Sequence, residues 1–270
     1  MSGSGTQQDP YIVTTWEELT NGSMSSAYYA WAGGDLDFND IQPEGFTSQV
    51  EITGNVDFRG ATFKNFYGRN ASIMFHYSIE NLNFLNAYFS GNSAFVFGKL
   101  GISTVKNCKF SGIIETSGTA TIFYQYYRTT CQSCSFNFEA NVDHDLIFGG
   151  KNVIFRDCLI ITNVEQTGEY FQSTFESTSA EGYLDNCKLE GKYLRKNGAW
   201  VRVGDRNGRT KNCFFNFESG VYIFYSEAGT SIYNSEKITC SGAAGAVGCT
   251  TAQLEDAAYL RSIGFPIGVD

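Results

Sequence analysis

The residues best suited to acid–base chemistry stand in one short turn. Asp143, His144 and Asp145 are adjacent, and Glu139 lies one predicted strand earlier. Two carboxylates at a defined separation can hydrolyse a glycosidic bond, and acids beside a histidine can also bind an ion. The alternative is a solvated turn before the apolar run 146–148. We favour the turn and therefore predict no catalytic group.

Cysteines offer a second kind of chemistry. The spacing of Cys131 and Cys134 is typical of a redox or zinc-binding pair. However, no second pair and no nearby histidine in the sequence completes a tetrahedral site. Cys134 also belongs to the repeat described below, so the structural interpretation is favoured. We predict no metal and no cofactor.

Ligand binding is predicted for a few basic and aromatic side chains. Arg202 and Arg206 lie in the one basic region of the sequence, which could hold an acidic sugar or simply be a solvated face. Tyr124, Tyr126 and Tyr127 place rings on both faces of a predicted strand, so some must point outward. Outward rings on a rigid face stack on sugars or pack against a neighbouring subunit.

The composition limits the partners. The chain has 270 residues and a formal net charge of −9. A chain with this much negative charge repels the phosphate backbone of nucleic acid, so we do not expect nucleic acid as a partner. The sequence contains no apolar run long enough for a membrane-spanning helix, and its polar start does not resemble a secretory signal.

These candidate residues must be positioned by a repeat, in which a small polar residue precedes a cysteine. Its copies are Asn107-Cys108, Ser133-Cys134, Asp157-Cys158, Asn186-Cys187 and Asn212-Cys213, with imperfect copies at Asn65-Phe66, Asn86-Ala87 and Asn234-Ser235. They recur at roughly 20 to 30 residues, and an internal period of this size is typical of a solenoid.

Stacked coils bring equivalent residues about 4.8 Å apart, so the repeat predicts two ladders of side chains. The first is a ladder of inward thiols, unpaired or in part bridged. Its members are Cys108, Cys134, Cys158, Cys187 and Cys213. The second is a ladder of amides at a bend, where Asn tolerates the left-handed conformation. Its members are Asn65, Asn86, Asn107, Asn186 and Asn212.

Two or three short strands per coil predict an all-β, single-stranded parallel β-helix of about eight coils. We expect a flexible segment over residues 1–8, an N-terminal cap of strand and helix over 9–48, and the coils over 49–240. A linker and a C-terminal capping helix follow over 241–270.

Both ends carry capping signals. Thr15 and Glu18 predict a capping box that opens a short helix ending near Asn21. Thr250 and Gln253 predict another, which opens a helix over about 251–262. Gly264 is expected to end that helix in the left-handed conformation. The predicted plug packs Leu254, Leu260 and Phe265 onto the end of the coils.

The sequence resembles right-handed β-helix domains of bacterial surface adhesins and phage virion proteins. The similar segments are Thr15–Leu19, Asp35–Phe38 and Phe58–Phe66 at the start, and Gln253–Ile267 at the end. In that group the segment matching Gly60–Phe66 is usually a Gly-Asn-Gly-His-type turn. Here Arg59 and Ala61 replace the polar turn residues. The resemblance concerns the fold, and such folds host many functions.

The function predicted first is that of a non-enzymatic structural or adhesive protein. It would be a fibre, spike or decoration protein of a phage or phage-like particle, displayed on that particle and able to grip a surface polysaccharide. Its partners would be other virion proteins or copies of itself, and trimers are common among such fibres. A bacterial cell-surface adhesin module is the first alternative. A polysaccharide lyase or glycoside hydrolase is the second.

Overall fold

The computed structural model describes residues 2–22, 24–91, 95–97, 103–116, 120–121, 123–125, 129–143, 146–147, 153–166, 183–195, 201–203, 209–218, 221–223, 231–240 and 246–265. Short strands dominate these residues. In chain order the elements are β1 (Tyr11–Val13), α1 (Trp16–Thr20), β2 (Tyr28–Trp31), β3 (Leu36–Asp37), α2 (Phe38–Ile41), β4 (Val50–Ile52), β5 (Asn55–Asp57), β6 (Thr62–Lys64), β7 (Tyr67–Arg69), β8 (Ile73–Phe75), β9 (Ile79–Glu80), β10 (Asn83–Ser90), β11 (Phe95–Phe97), β12 (Ser103–Lys106), β13 (Lys109–Thr116), β14 (Ala120–Thr121), β15 (Phe123–Gln125), β16 (Thr129–Gln132), β17 (Ser135–Val142), β18 (Leu146–Ile147), β19 (Val153–Arg156), β20 (Leu159–Gln166), β21 (Tyr183–Asp185), β22 (Lys188–Arg195), β23 (Val201–Val203), β24 (Arg209–Lys211), β25 (Phe214–Phe217), β26 (Val221–Ile223), β27 (Ile232–Asn234), β28 (Thr239–Cys240), β29 (Val247–Cys249), α3 (Thr251–Glu255) and α4 (Ala257–Ser262).

The strands stack in parallel into long sheets. A nine-stranded sheet has the order β1-β2-β5-β9-β12-β16-β19-β21-β24. An eleven-stranded sheet has the order β29-β27-β25-β22-β20-β17-β13-β10-β6-β3, with β7 also paired to β10. A four-stranded sheet has the order β15-β11-β8-β4. Two shorter sheets have the orders β14-β18 and β23-β26-β28. Neighbours within each sheet come from successive passes of the chain, so the coils extend the long sheets strand by strand. The prediction of an all-β parallel β-helix is confirmed.

The number of regular coils is smaller than the eight expected. Five successive coils place an eight-residue strand on the eleven-stranded sheet, and these strands are β10, β13, β17, β20 and β22. The coils before and after them contribute shorter strands. The regular part of the solenoid therefore lies in the middle of the chain.

Alternation along the strands separates a buried face from an exposed one. In β17, Phe136, Phe138, Ala140 and Val142 point inward, while the residues between them are half-buried or exposed. Burying one such ring contributes about 1.5–3 kcal/mol relative to leaving it in water. Successive coils therefore share one continuous apolar interior, as a solenoid requires.

One corner of the coil is built by left-handed residues. The residue after each of six strands in the nine-stranded sheet has a φ between 52° and 57°. These residues are Asn81, Asn107, Ser133, Asp157, Asn186 and Asn212. Short polar side chains tolerate this conformation best among residues with a Cβ. Each is followed by a buried residue, Leu82 in the first coil and cysteine in the five others. We call this feature the thiol corner.

The N-terminal segment joins the stack directly. The capping box of Thr15 and Glu18 is confirmed, and it opens α1, which buries Trp16 and Leu19. Strands β1 and β2 already belong to the nine-stranded sheet, so the segment predicted as a cap also contributes the first two strands of that sheet. The segment over residues 1–8, predicted to be flexible, makes backbone hydrogen bonds to β1 and to the start of β2. Ile12 N donates to Ser2 O at 2.9 Å, and Tyr28 N donates to Gly5 O at 3.0 Å.

The C-terminal segment differs from the prediction in two ways. Val247–Cys249, expected to include the end of a linker, forms a strand that pairs with β27. The single helix expected over 251–262 is two short helices. The capping box at Thr250 is confirmed, but Asp256 ends α3 and caps α4 by accepting from Ala258 N and Tyr259 N. A carboxylate that accepts bonds from backbone N–H groups stabilises a new helix start there.

The end of the solenoid is closed as predicted by apolar side chains. Phe265 is buried against Ile232 and Cys249, and Leu254 and Leu260 pack on this cluster. Gly264 has a φ of +76°, which is the left-handed stop expected of it.

Candidate functional site

Only some of the candidate acid–base residues lie in the part of the chain that the structure describes. Glu139 lies on the outer face of β17 and is exposed. Asp143 follows the end of that strand, and its backbone N donates to Thr116 O at 3.2 Å. Asp145 and His144 lie outside the described residues. The preference for a solvated turn over a catalytic role of Asp143, Asp145 and Glu139 therefore stays a prediction.

Only two of the five predicted ligand-binding residues lie in the part of the chain that the structure describes. Tyr126, Tyr127 and Arg206 are outside it. Tyr124 is in β15, where it pairs with Val96, and Arg202 is in β23, where it pairs with Tyr222. For these two only the backbone is described. Their proposed role in sugar binding stays a prediction.

The five thiols of the repeat occupy one register. Leu159 N donates to Cys134 O at 3.0 Å, and Lys188 N donates to Cys158 O at 2.9 Å. The same bond links each member of the ladder to the next coil, from Cys108 through to Cys213. All five side chains are buried and unpaired. The sequence repeat therefore correctly predicted that these five cysteines form one column in the interior of the solenoid.

Each thiol of this ladder donates to the carbonyl two residues before it. The five sulfur–oxygen distances lie between 3.1 and 3.3 Å. Burial raises the pKa of Cys108, Cys158 and Cys187, because a thiolate would lose its hydration in the interior. These thiols are therefore protonated, weakly nucleophilic packing groups at neutral pH.

The pair Cys131 and Cys134 flanks the left-handed residue Ser133. Both are free and buried, and burial raises the pKa of Cys131. Among the residues that the structure describes, no group of three or more His, Cys, Asp or Glu side chains is arranged to hold a metal ion. The pair packs the interior on either side of the thiol corner.

The predicted amide ladder is corrected, because its members lie at two different corners. Asn107 stacks on Asn81, to which its Nδ2 donates at 3.2 Å, and not on Asn86. Asn65 and Asn86 stack on each other at a second corner, where Asn65 N donates to Leu85 O at 3.1 Å. A coil that bends twice carries two similar Asn positions, and the repeat alone cannot tell them apart.

At the thiol corner the outward side chains form hydrogen bonds along the stack. Asn81 Nδ2 donates to Asp57 Oδ1 at 2.8 Å, and Asn186 Nδ2 donates to Asp157 Oδ1 at 2.7 Å. The corner therefore holds neighbouring coils together through side chains as well as backbone. Its role is structural.

The outer face of the eleven-stranded sheet carries a shallow groove. The groove has a volume of about 320 Å³ and is lined by Glu115, Glu139, Glu165 and Lys192. Ile113 and Leu194 lie at its edges and are 42 % and 49 % exposed. Lys192 Nζ is 3.2 Å from a carboxylate oxygen of Glu218. We call this feature the long-sheet groove.

Aromatic side chains continue that face toward the N-terminus. Tyr67 and Tyr88 pack edge to face with their centroids 5.0 Å apart, and the guanidinium of Arg69 lies 4.8 Å from the Tyr67 ring centroid. Tyr88 donates a short hydrogen bond to Glu115, and this bond raises the pKa of Tyr88 to about 12. The tyrosine is therefore a neutral donor that holds one groove carboxylate in place.

A second depression lies on the outer face of the nine-stranded sheet. It has a volume of about 370 Å³ and is lined by Tyr28, Ala30, Asp57, Arg59, Ser78 and Glu80, among others. Gln7 and Pro10 form its outer wall. We call it the N-terminal pocket. Its residues come from successive coils, so only the stacking register could have revealed that they meet.

His76 is a buried histidine, with an exposed fraction of only 3 %. Its Nε2 lies 3.1 Å from a carboxylate oxygen of Glu51. Its Nδ1 is buried and has no hydrogen-bond partner among the described residues. One of the two ring nitrogens therefore has a polar partner among the described residues, and the ring lines neither the long-sheet groove nor the N-terminal pocket.

Comparison with known proteins supports the fold. No protein-family model matches the chain, and no curated protein matches it. Among solved structures, the chain is similar to one described as "a putative immunoglobulin A1 protease from Bacteroides ovatus". It has 14 % sequence identity and a TM-score of 0.55, with 96 % of this chain and 89 % of that chain covered. At this identity the likeness shows the fold alone. Within the described residues, no helix is long and apolar enough to cross a membrane.

Proposed function

We propose that this chain is a non-enzymatic structural and adhesive β-helix protein. It would be a fibre, spike or decoration component of a phage or phage-like particle, which contacts other virion proteins or copies of itself and grips host-surface glycans. The resemblance of its two ends to adhesin and virion β-helices supports this assignment. A rigid rod with flat, regular faces suits such a role.

One observation carries the proposal. Ile113 and Leu194 are large apolar side chains, about half exposed, on a flat face that includes the long-sheet groove. Apolar side chains beside polar groups on a rigid surface are typical of a protein–protein contact. We expect this face to be covered by a neighbouring protein in the assembled particle.

The test is incorporation into particles. Purified particles from the source strain should contain the chain as a stoichiometric component by quantitative mass spectrometry. Ile113→Lys and Leu194→Lys should each lower incorporation strongly, whereas Arg261→Lys, on the exposed surface of α4, should not. Detection of the chain on the bacterial cell surface and not in particles would favour the adhesin alternative.

A polysaccharide-degrading enzyme remains the second candidate, because three carboxylates line the long-sheet groove. Glycoside hydrolysis needs two carboxylates at a defined separation. Incubation with host polysaccharides should give no new reducing ends and no unsaturated products. Products that disappear in Glu139→Gln, Asp143→Ala or Asp145→Ala would replace the adhesive proposal with the enzymatic one.

A further inference from the structure

The N-terminal pocket has the size and the lining of a small-ligand site. Its volume of about 370 Å³ lies within the range of pockets that hold small molecules. Its lining comes from the three neighbouring strands β2, β5 and β9, and Gln7 and Pro10 line it as well. We propose that this pocket binds a neutral sugar residue of a surface polysaccharide, an inference that rests on the adhesive function proposed above.

The aromatic wall of the pocket is Tyr28. This side chain is 41 % exposed, although its neighbours Tyr29, Ala30 and Trp31 in the same strand are buried. An exposed ring on a rigid strand offers its face to the C–H groups of a sugar, which is how aromatic side chains contact carbohydrate in water. The backbone that carries the ring is fixed, because β2 is paired with β1 on one side and with β5 on the other.

The polar wall is already oriented. Asp57 Oδ1 accepts from Asn81 Nδ2 at 2.8 Å and from Arg59 N at 2.9 Å. Its Oδ2 makes none of the described hydrogen bonds. Asn55 is held in the same way, since Nδ2 donates to Ser26 O at 2.6 Å and Oδ1 accepts from Ser78 N at 3.3 Å. Fixed acceptors reduce the entropic cost of binding hydroxyl groups.

Arg59 is the cationic residue of the pocket lining. Its φ is 55°, a left-handed conformation that glycine adopts far more readily than arginine. Arg59 is exposed and lines the pocket, where its guanidinium can donate to ring or hydroxyl oxygens.

The charges at the pocket select the class of sugar. Asp57 and Glu80 contribute two carboxylates against the single guanidinium of Arg59. A second negative charge brought by a uronic acid or a phosphate would be repelled, and the chain as a whole has a net charge of −9. Neutral sugars, whose hydroxyls donate to carboxylates, fit the lining best.

The experiment is affinity gel electrophoresis of the full chain, followed by titration calorimetry with each polymer that retards it. Dextran, mannan and galactan are the neutral probes, and polygalacturonate and hyaluronate are the acidic ones. At least one neutral polymer should retard the protein, and the acidic polymers should not. Tyr28→Ala should weaken the affinity about tenfold, and Tyr28→Phe should retain it.

Arg59→Gly separates a binding role from a structural one. Removing the strained Cβ should raise the urea midpoint of unfolding, while the affinity for the neutral polymer falls. The matched control is Asn107→Gly, also at a left-handed position, which should leave the affinity unchanged. Leu194→Ala, on the other sheet, should leave it unchanged as well.

The possible results are distinct. If a neutral polymer binds but Tyr28→Ala and Arg59→Gly bind it as tightly as the unaltered chain, the pocket assignment is wrong and the adhesive function stands. Retardation by acidic polymers alone overturns the choice of sugar class. If no polymer binds, the pocket assignment and the glycan-binding part of the function fail together, whereas particle incorporation is judged separately.

Discussion

The N-terminal coils and the middle coils fill the same corner with different side chains. In the first coil of the thiol corner the buried residue is Leu82, and Phe84, Phe63 and Phe66 lie close by. In the following coils the buried residue is cysteine. The backbone geometry of the corner is nevertheless the same, with φ near 55° throughout. The coils therefore share the backbone conformation of the corner, whereas the buried side chain that follows it differs from coil to coil.

The packing of the two regions differs accordingly. Phe84 contacts five rings with centroids 5.2 to 6.5 Å away, namely those of Phe38, Phe63, Phe66, Phe95 and Phe110. In the middle coils the thiols of this corner are accompanied by stacked rings, such as those of Phe110 and Phe136, whose centroids are 5.6 Å apart.

The largest expected effect is therefore that of Phe84→Ala. The variant leaves a cavity among five rings and should lower the free energy of unfolding by about 3–5 kcal/mol. The measurement is urea unfolding followed by circular dichroism. Ile113→Ala is the control, because its side chain is 42 % exposed, and it should cost less than about 0.5 kcal/mol. Equal losses in the two variants would contradict the proposed core.

Thiol labelling addresses the middle coils. Cys108, Cys158 and Cys187 should react with an aromatic disulfide reagent at least about 100-fold more slowly in native protein than in urea, because burial keeps their sulfurs protonated and covered. Mass spectrometry of the labelled peptides identifies each site. Rapid native labelling at Cys158 or Cys187 would show that the interior of these coils is open.

The corner itself is tested by Asn107→Ala. Alanine tolerates the left-handed conformation less well than asparagine, and the bond from Asn107 Nδ2 to Asn81 Oδ1 is lost. We expect a loss of about 1–2 kcal/mol in the free energy of unfolding. Asn107→Gly keeps the conformation accessible and should lose less. If alanine costs no more than glycine, conformation is not what selects asparagine here.

The smallest effect is expected at the N-terminal helix. Backbone N–H groups of Thr14 and Thr15 donate to the Glu18 carboxylate, and these bonds lower its pKa below the usual 4.5. A lowered pKa in the folded state means that the stabilisation is present at neutral pH and is lost as the pH falls through the folded pKa. Stability should therefore decline between about pH 5 and pH 3 more steeply than in Glu18→Gln, which a series of urea midpoints measures.

The corner was predictable because its chemistry is local. A left-handed residue followed by a buried one gives the same pair of residue types in successive coils, so Asn107-Cys108 and Asp157-Cys158 are recognisable in the sequence as a repeat. The assignment of Asn65 and Asn86 failed because a second corner leaves a similar phrase. The phrase that completes the first corner is Asn81-Leu82, in which leucine replaces cysteine.

The surface features were not predictable in the same way. Tyr28, Asp57 and Glu80 belong to successive coils, and they meet only because β2, β5 and β9 are neighbours in one sheet. The exposed positions Ile113 and Leu194 look like core residues in the sequence, and only the stacking places them outside. The split of the last helix likewise depends on the side chain of Asp256, which bonds forward to α4.

The direction of the backbone hydrogen bonds has a mechanical consequence. They link each coil to the next along the axis of the rod, and the strands run across it. A force that pulls the two ends apart loads only the bonds of the outermost coil at any moment. The rod should accordingly peel turn by turn from its weaker end, with a sawtooth of small force peaks in single-molecule stretching.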